Sequence, residues 1–255
     1  MIVCKSPAEL EKMRAANQVV ARILEELAAM VAPGVSTADL DAAAESRVRA
    51  AGAEPAFKGY RGYPATLCAS VNEQVVHGIP NRNPLKAGDI VSLDMGVKLN
   101  GYYGDSAVTV PVGPVREDVS KLLLVTQEAL EKGIAQVRLG GRISDIGHAI
   151  QAHVEVNGFS VVREFVGHGI GASLHEEPQI ANYGEPGRGP RLAEGMTLAI
   201  EPMVNMGKAA VKVLSDGWTA VTKDGSLSAH FEHTVAVTKN GPLVLTARPM
   251  VVPVR

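Results

Sequence analysis

The chain has few cysteines and no long hydrophobic run. Its 255 residues include two cysteines, Cys4 and Cys68, which are too few for a disulfide framework and fit a reducing compartment. No apolar stretch approaches the roughly 20 residues that span a bilayer. The N-terminal residues 1–7 do not have the pattern of a signal peptide. These absences predict a cytoplasmic protein without a membrane-bound part.

An excess of charge of one sign is also missing. With 25 basic and 27 acidic residues the formal net charge is −2, which gives no sign of a DNA- or RNA-binding surface. What the sequence does have is the composition of an ordinary globular protein, 46% hydrophobic and 20% charged. We expect a single domain over residues 1–255, since this length suits one large domain or two small halves that share a core.

Helices are predicted before strands in the first part of the chain. Ser6 and Glu9 form a capping box with a proline between them, and apolar residues then recur at helical spacing. Runs rich in Val, Ile, Thr and Tyr and broken by Gly and Pro follow. The predicted elements are a helix from Ser6 to Pro33-Gly34, a helix from Ser36 to Gly52, and strand-like segments at 65–80 and 88–112.

The same order then returns, with helices predicted at 116–138 and 144–157 and strand-like runs from residue 159 onward. A faint repeat at an offset of 106 residues accompanies it. Its matching pairs are Gly34 with Gly140, Leu40 with Ile146, Val48 with Val154, and Gly52 with Gly158. We therefore expect an α+β fold of two halves, about 1–112 and 113–255, with their strands in one curved sheet and helices on its outer face. A site between the halves would draw ligands from both.

A β-hairpin is predicted at Asn100-Gly101, because both residues tolerate positive φ. With these two residues as the turn, Asp94 pairs with Ala107 and Asp105 points to the same face. A register one residue shorter would set the two aspartates directly opposite each other. In either register the like charges require protonation, solvent or a cation. On this stretch alone a solvated turn and a metal site are equally good interpretations.

Three further candidates lie in the second half. His168 is flanked by glycines, which permit close approach of a ligand, although a lone histidine of this kind fits a surface turn better. Glu201 interrupts an apolar strand, where an ionised carboxylate needs a partner. Glu232 shares one strand face with His230 and points inward if the alternate face packs on helices. His230 and His233 are interpreted as groups beside the site or on the surface, not as ligands.

Two other histidines are candidate site residues only if the fold brings them to the same site. His77 lies at a strand end before a Gly/Pro turn, and it matters only if it faces the same site. His175 stands seven residues after His168, but the intervening glycines argue against a helix. In extended or looped chain the two can face one cavity from different heights.

Together the candidates give four carboxylates and one imidazole: Asp94, Asp105, His168, Glu201 and Glu232. This oxygen-rich set with one nitrogen suits two divalent ions such as Mn²⁺, Fe²⁺ or Co²⁺, and four negative charges match two dications. Two such ions roughly 3.5–4 Å apart can share a bridging hydroxide, which is a nucleophile at neutral pH. The sequence therefore predicts a dinuclear metal site.

This constellation, in this order, resembles the type I methionine aminopeptidases over nearly the whole chain. The runs that carry the resemblance are 72–80, 94–105, 167–171, 175–178, 201–202, 216–218 and 232–234. It implies the pita-bread α+β fold, which has a curved antiparallel sheet, helices on the outer face and internal pseudo-twofold symmetry. It also implies a metallo-aminopeptidase that removes the initiator methionine from nascent proteins and peptides and prefers a small second residue.

The resemblance assigns roles to the metal-ligating residues. It implies that Asp94 chelates one ion, Asp105 and Glu232 bridge both, and His168 and Glu201 hold the other. The bridging water or hydroxide would attack the carbonyl of the initiator methionine. The free α-amine of the substrate would bind a metal ion, which explains why only N-terminal residues are removed.

The resemblance also assigns three catalytic roles. Glu201 would carry the proton of the nucleophile. His77 would contact the scissile amide nitrogen, and His175 the carbonyl oxygen and the developing oxyanion.

A methionine pocket is implied as well. Its expected residues are Tyr60, Tyr63, Cys68, Leu174 and Trp218, with His77 and His175 also contacting the substrate. An apolar slot lined by sulfur and aromatic rings suits a thioether. Leu174 stands where bacterial relatives usually carry Phe, and Phe57 stands where many relatives have a small residue or Cys.

Two alternatives compete with this interpretation. Proline-directed relatives carry an additional N-terminal domain, for which the chain has no room. A catalytically dead pita-bread protein that binds partners or nucleic acid would be expected to lose metal ligands, whereas all five positions are filled here. The expected partner is the N-terminal methionine of a nascent polypeptide near the ribosome, not DNA or a membrane. The chain is expected to be a monomer.

Overall fold

The computed structural model describes residues 1–247 of the chain. The end of the predicted single domain and of its second half, residues 248–255, lies outside the described residues. The helices are α1 (Pro7–Met30), α2 (Thr37–Ala50), α3 (Glu117–Ile134) and α4 (Ile143–Val156). The strands are β1 (Glu54–Pro55), β2 (Cys68–Val71), β3 (Gln74–Val76), β4 (Ile90–Leu99), β5 (Tyr102–Pro111), β6 (Ser160–Val161), β7 (Gly167–Gly169), β8 (Glu176–Ile180), β9 (Thr197–Ile200), β10 (Met203–Asn205), β11 (Val211–Val213), β12 (Ala220–Thr222), β13 (Ser228–His230), β14 (Glu232–Thr238) and β15 (Gly241–Val244).

Local signals set the helix starts. The capping box of Ser6 with Glu9 is present at α1, and Ser36 with Asp39 forms a second one at α2. Each side-chain oxygen accepts from a backbone N–H that has no partner inside the helix. The first helix ends at Met30, three residues before the proline that was predicted to stop it. None of the helices within residues 1–247 combines the length and apolar character that crossing a membrane requires.

One sheet carries strands from both halves. Nine strands join in it, in the order β1-β4-β5-β14-β9-β7-β8, with β2 also on β4 and β15 also on β14. The pairing of β5 with β14 connects the two halves, and all pairings in this sheet are antiparallel. Two three-stranded sheets, β13-β10-β6 and β11-β12-β3, complete the strand layer. The curled α+β sheet confirms the predicted fold class.

Each half has its own hydrophobic core beneath its helices. In the first, Leu27 of α1 and Leu40 of α2 pack against Leu93 of β4. In the second, Ile146 of α4 packs against Leu198 of β9. At 25 cal/mol per Å², such clusters supply most of the free energy that opposes chain entropy.

The sequence repeat is also a structural repeat. Leu40, Val48, Ile146 and Val154 are all fully buried. Gly34 and Gly140, which precede the second helix of each half, and Gly52 and Gly158, which follow it, all have positive φ. Equivalent positions thus have the same burial or the same backbone conformation in the two halves, which confirms the internal pseudo-symmetry. The boundary near residue 112 stays a prediction.

Candidate active site and metal centre

The hairpin at Asn100-Gly101 has the predicted two-residue turn. Its φ angles are 52° and 84°, so both residues occupy the left-handed region. Asp94 pairs with Ala107 and Gly96 pairs with Asp105, which confirms the first of the two registers considered. Because side chains alternate along a strand, Asp94 and Asp105 project from the same face of the sheet.

The second half adds its carboxylates to the same face. Ala107 pairs with Asp94 on one side and with Glu232 of β14 on the other, so these three residues form one row across the sheet. Two residues along β14, Thr234 donates through Oγ1 to the Asp105 carbonyl oxygen at 2.8 Å. The small methyl group of Ala107 leaves the space between the two carboxylates open.

A neighbouring row brings in the histidine. Thr234 pairs with Ala199 of β9, and Ala199 pairs in turn with His168 of β7. The Nε2 atom of His168 lies 3.5 Å from Glu201 Oε1 and 3.9 Å from Asp105 Oδ2. Its Nδ1 atom lies 2.9 Å from the Gly169 carbonyl oxygen. Since a carbonyl only accepts, Nδ1 carries the proton and the lone pair of Nε2 faces the carboxylates.

The donor set fits divalent metal ions. Asp105, His168 and Glu232 each place one ligand-type atom within 4.8 Å of the others. Asp105 Oδ1 and Glu232 Oε1 are buried and have no hydrogen-bond partner. Buried carboxylate oxygens of this kind are costly unless a cation or proton satisfies them. With Asp94 and Glu201 at the same place, the charge and the unpaired atoms indicate a cation site.

Burial and mutual repulsion govern the protonation of these carboxyl groups. Burial first, and then the charge of Asp105, raises the pKa of Asp94 well above its usual range. Burial raises the pKa of Asp105 to about 7. Burial, with the neighbouring carboxylates as a second cause, also raises the pKa of Glu201 and of Glu232 well above their usual range. Bound cations would reverse these shifts, because they favour the charged form.

All the predicted site residues line a single cavity of about 170 Å³. One end holds the five ligand-type residues, and the remaining wall is mostly aromatic and apolar. The lining residues are Phe57, Tyr60, Arg61, Tyr63, Cys68, His77, Asp94, Asp105, His168, Leu174, His175, Glu201, Trp218 and Glu232. The structure brings the residues that the sequence singled out together around one cavity, while their assignment to a site and their individual roles stay predictions.

The apolar part of the cavity is built from both halves. Tyr63 packs edge-on against Trp218 with ring centroids 5.1 Å apart. Its hydroxyl donates to the Gly78 carbonyl oxygen at 2.9 Å, which fixes the ring. Cys68 and Leu174 are buried, at 4% and 2% exposure. Burial raises the pKa of the Cys68 thiol, so this residue is a neutral, polarisable wall and not a nucleophile.

The two further histidines flank the ligand cluster. The Nδ1 atom of His175 forms a 2.9 Å hydrogen bond with the Tyr60 hydroxyl. The ring centroids of His175 and His168 lie 4.3 Å apart. His77 has φ 60° and packs edge-on against Phe165 and Trp218. Burial lowers the pKa of His77 to about 4 and, with the charge of Arg61 as a lesser cause, lowers the pKa of His175. Both rings are therefore neutral at pH 7.

Several residues near the cavity did not emerge from sequence patterns. Arg61 lines its mouth with a left-handed backbone (φ 49°), and a lone arginine in a loop carries no signal that marks it. His230 is 1% exposed with its Nε2 atom 3.8 Å from Glu201 Oε2, whereas His233 contacts Thr246 through Nδ1. His230 therefore lies beside Glu201, whereas His233 does not line the cavity; both positions agree with the expectation that these histidines lie beside the site or on the surface. Asn17 of α1 accepts the Asp105 N–H at 3.3 Å, a contact between residues 88 positions apart that no local pattern reveals.

Metal removal is expected to make the stability of the protein fall with pH above 7. The folded pKa values of the carboxyl groups are raised above their unfolded values, so the folded state releases its protons later than the unfolded state does. The five histidines whose pKa values are lowered in the fold are neutral in this range: His77, His168, His175, His230 and His233. Each carboxyl group that keeps its proton in the folded state after the unfolded state has lost it lowers Tm by roughly 3–5 °C per pH unit.

Differential scanning calorimetry of chelator-treated protein between pH 7 and 8.5 measures this effect. Protein saturated with Mn²⁺ serves as the control and should show little slope over the same range. A flat Tm in the chelator-treated sample would mean that the carboxyl groups are already ionised in the metal-free fold.

Sequence comparisons agree with this geometry. The model of Metallopeptidase family M24 matches residues 11–239 of the chain. Methionine aminopeptidase 1 of Bacillus subtilis is 56% identical over 246 residues, which is 96% of this chain and 99% of that protein. A methionine aminopeptidase of Clostridium perfringens is 53% identical with the same coverage.

Solved structures point the same way. The methionine aminopeptidase of Thermotoga maritima superposes with a TM-score of 0.96 at 50% identity and covers 97% of this chain and 100% of that one. The prolidase of Pyrococcus furiosus superposes with a TM-score of 0.78 over 97% of this chain and 66% of that one, and at 22% identity it shows the fold alone. The chain belongs to metallopeptidase family M24, among its methionine aminopeptidases.

Proposed function

We propose that the protein removes the N-terminal methionine from peptides and nascent proteins by metal-dependent hydrolysis. The observation that carries this proposal is one cavity with two unlike ends. Ligand-type carboxylates and an imidazole from both halves meet at one end, beside a slot formed by Tyr63, Cys68, Leu174 and Trp218. The first end suits the free amine and the scissile carbonyl of a peptide. The second suits an unbranched thioether side chain.

The residues that would hold the metal ions are Asp94, Asp105, His168, Glu201 and Glu232. When bound, divalent ions supply Lewis acidity and lower the pKa of a water molecule, so that it can act as a nucleophile near neutral pH. We propose two ions per chain, of Co²⁺, Mn²⁺ or Fe²⁺, because the ligand set combines four hard oxygen donors with one imidazole.

Proton transfer is assigned to Glu201. Glu201 lines the end of the cavity that holds the ligand-type residues, and its side chain is 14% exposed, so its carboxylate would lie beside the attacking water. It lies between two imidazoles, with Oε1 3.5 Å from His168 and Oε2 3.8 Å from His230. In this position it takes a proton from the attacking water and delivers it to the departing amine.

The flanking histidines bind and orient the peptide. His175 contacts the carbonyl oxygen and, in the transition state, the oxyanion, while its ring is held by the Tyr60 hydroxyl. His77, which lines the same cavity, contacts the scissile amide nitrogen. The narrow cavity next to Phe57 favours a small second residue, because a bulky side chain there would meet the aromatic wall. The proposed setting is the cytoplasm, near the ribosome, with the protein acting as a monomer.

The proposal is tested by measuring free methionine released from the peptides Met-Ala-Ser, Met-Pro-Ser and Leu-Ala-Ser, with and without a chelator. We expect release from Met-Ala-Ser that stops with chelator and returns with Mn²⁺, Co²⁺ or Fe²⁺. Cleavage of Leu-Ala-Ser at a similar rate would contradict the methionine pocket. Preferential cleavage of the bond before proline would instead indicate a proline-directed enzyme.

A further inference from the structure

The segment before α1 is tied to the loop that carries His175. Lys5 is 6% exposed and is the only buried lysine or arginine among residues 1–247. Its Nζ atom lies 2.5 Å from Glu176 Oε2 and donates to the Val3 carbonyl oxygen at 3.0 Å. A buried ammonium group must be paired in this way, since an unpaired charge in the interior is strongly destabilising.

Glu176 links Lys5 to the chain on both sides of His175. It is the residue directly after His175, and its side chain is 14% exposed. Its second oxygen, Oε1, accepts the backbone N–H of Ser173 at 3.1 Å. The carboxylate therefore closes a short loop around the histidine, and Lys5 holds that carboxylate from outside the loop.

The backbone packs closely around the ion pair. The N–H of Lys5 donates to the Gly195 carbonyl oxygen at 2.7 Å. At Gly171, where the loop begins, an added Cβ would meet Glu176 Oε1 at 2.6 Å and would also collide with the Lys5 side chain. Gly171 also accepts the Tyr103 N–H at 2.8 Å through its carbonyl oxygen. The pair thus fills a fixed place between the N-terminal segment, the loop and β5.

The loop itself has little burial to hold it. Ala172, Ser173 and His175 are all exposed, and only Leu174 between them is buried. The His175 side chain itself is held by a 2.9 Å hydrogen bond to the Tyr60 hydroxyl and by ring contacts with Tyr60 and His168. The backbone of the loop that carries the imidazole therefore depends on its polar contacts.

We propose that Lys5 and Glu176 form a positioning pair, which fixes the His175 loop so that the imidazole meets the carbonyl oxygen of the substrate. The inference rests on the proposed function, in which His175 stabilises the oxyanion. The pair itself does not touch the substrate. Its loss should affect the rate of the chemical step more than binding, because the His175 contact strengthens in the transition state.

The test is the variant Lys5→Met, which keeps a long side chain and removes the charge. With Met-Ala-Ser and saturating Mn²⁺ we expect kcat to fall about ten- to a hundredfold, since small displacements of a catalytic group cost up to about a hundredfold. KM should change less than about threefold. In a His175→Ala background the same substitution should lower kcat by less than about twofold, because the group that it positions is gone.

An ion pair between α1 and α2 that does not line the cavity provides the control. Arg47 Nε on α2 lies 2.6 Å from Glu26 Oε2 on α1, and Arg47→Met should leave kcat unchanged. If Lys5→Met does not fold, as judged by circular dichroism, Glu176→Gln keeps the side-chain shape and should show the same dependence on His175 with a smaller fall in kcat.

An equal fall in kcat in both backgrounds, or no fall in the otherwise unaltered enzyme, would overturn the positioning role. Failure of the unaltered enzyme to release methionine would instead contradict the proposed function, so the two failures are distinguishable.

Discussion

Replacing Glu232 by alanine is expected to abolish metal-dependent release of methionine, with kcat/KM lowered at least about a thousandfold. Glu232 is 2% exposed, and its Oε1 atom has no hydrogen-bond partner within the protein. Its removal takes away one ligand shared by the proposed ions. Charge stabilisation by metal ions is worth several kcal/mol in the transition state, which corresponds to this factor. Kinetics on Met-Ala-Ser at several Mn²⁺ concentrations measure the loss.

The variant Asp105→Asn should behave in the same way and separates metal binding from folding. The amide keeps the shape of the carboxyl group but removes a charge that burial disfavours, as the raised pKa of Asp105 indicates. In the presence of chelator its Tm should equal or exceed that of the unaltered protein, while isothermal titration with Mn²⁺ should show weaker binding. Asp118→Asn, at an exposed ion pair on α3, is the matched control. Full activity in either site variant would contradict a dinuclear site.

His175→Ala is expected to lower kcat about a hundred- to a thousandfold and to change KM by only a few-fold. The magnitude is that of removing one donor to a developing oxyanion. The effect on kcat exceeds the effect on KM because the contact is stronger in the transition state than in the ground state. Steady-state kinetics on Met-Ala-Ser measure both constants.

The control for this substitution is His148→Ala, since His148 is an exposed histidine of α4 whose Nδ1 atom lies 3.1 Å from the Gly184 carbonyl oxygen. It should leave both constants unchanged. A rise in KM with kcat intact in His175→Ala would indicate that His175 binds the substrate in the ground state and has no role in the chemical step.

Sequence alone predicts those parts of the site that depend on local rules. The Asn100-Gly101 turn sets the register of the hairpin through residues that are close in sequence. The common face of Asp94 and Asp105 then follows from the alternation of side chains along a strand. The capping boxes and the buried helix faces also follow from local spacing. These features need no knowledge of which strands become neighbours.

The remainder depends on pairings between distant parts of the chain. The pairing of β14 with β5, which puts Glu232 in one row with Asp94, was not predicted, because no local pattern shows which distant strands become neighbours. The contact of Lys5 with Glu176 spans 171 positions, and neither residue stands in a pattern that distinguishes it from a solvated charge. Such contacts are set by the tertiary fold, because the free energy of pairing is gained only after distant segments meet.

The seam between the halves, where β5 pairs with β14, is short. Two residue pairs join β5 to β14, whereas ten join β4 to β5. The ligand-type side chains stand directly over this seam, with Asp94 and Asp105 on one side and Glu232 on the other. Bound cations would therefore cross-link the two halves of the protein at a place where few backbone hydrogen bonds connect them. Catalysis and the mechanical cohesion of the two halves would then depend on the same few oxygen atoms.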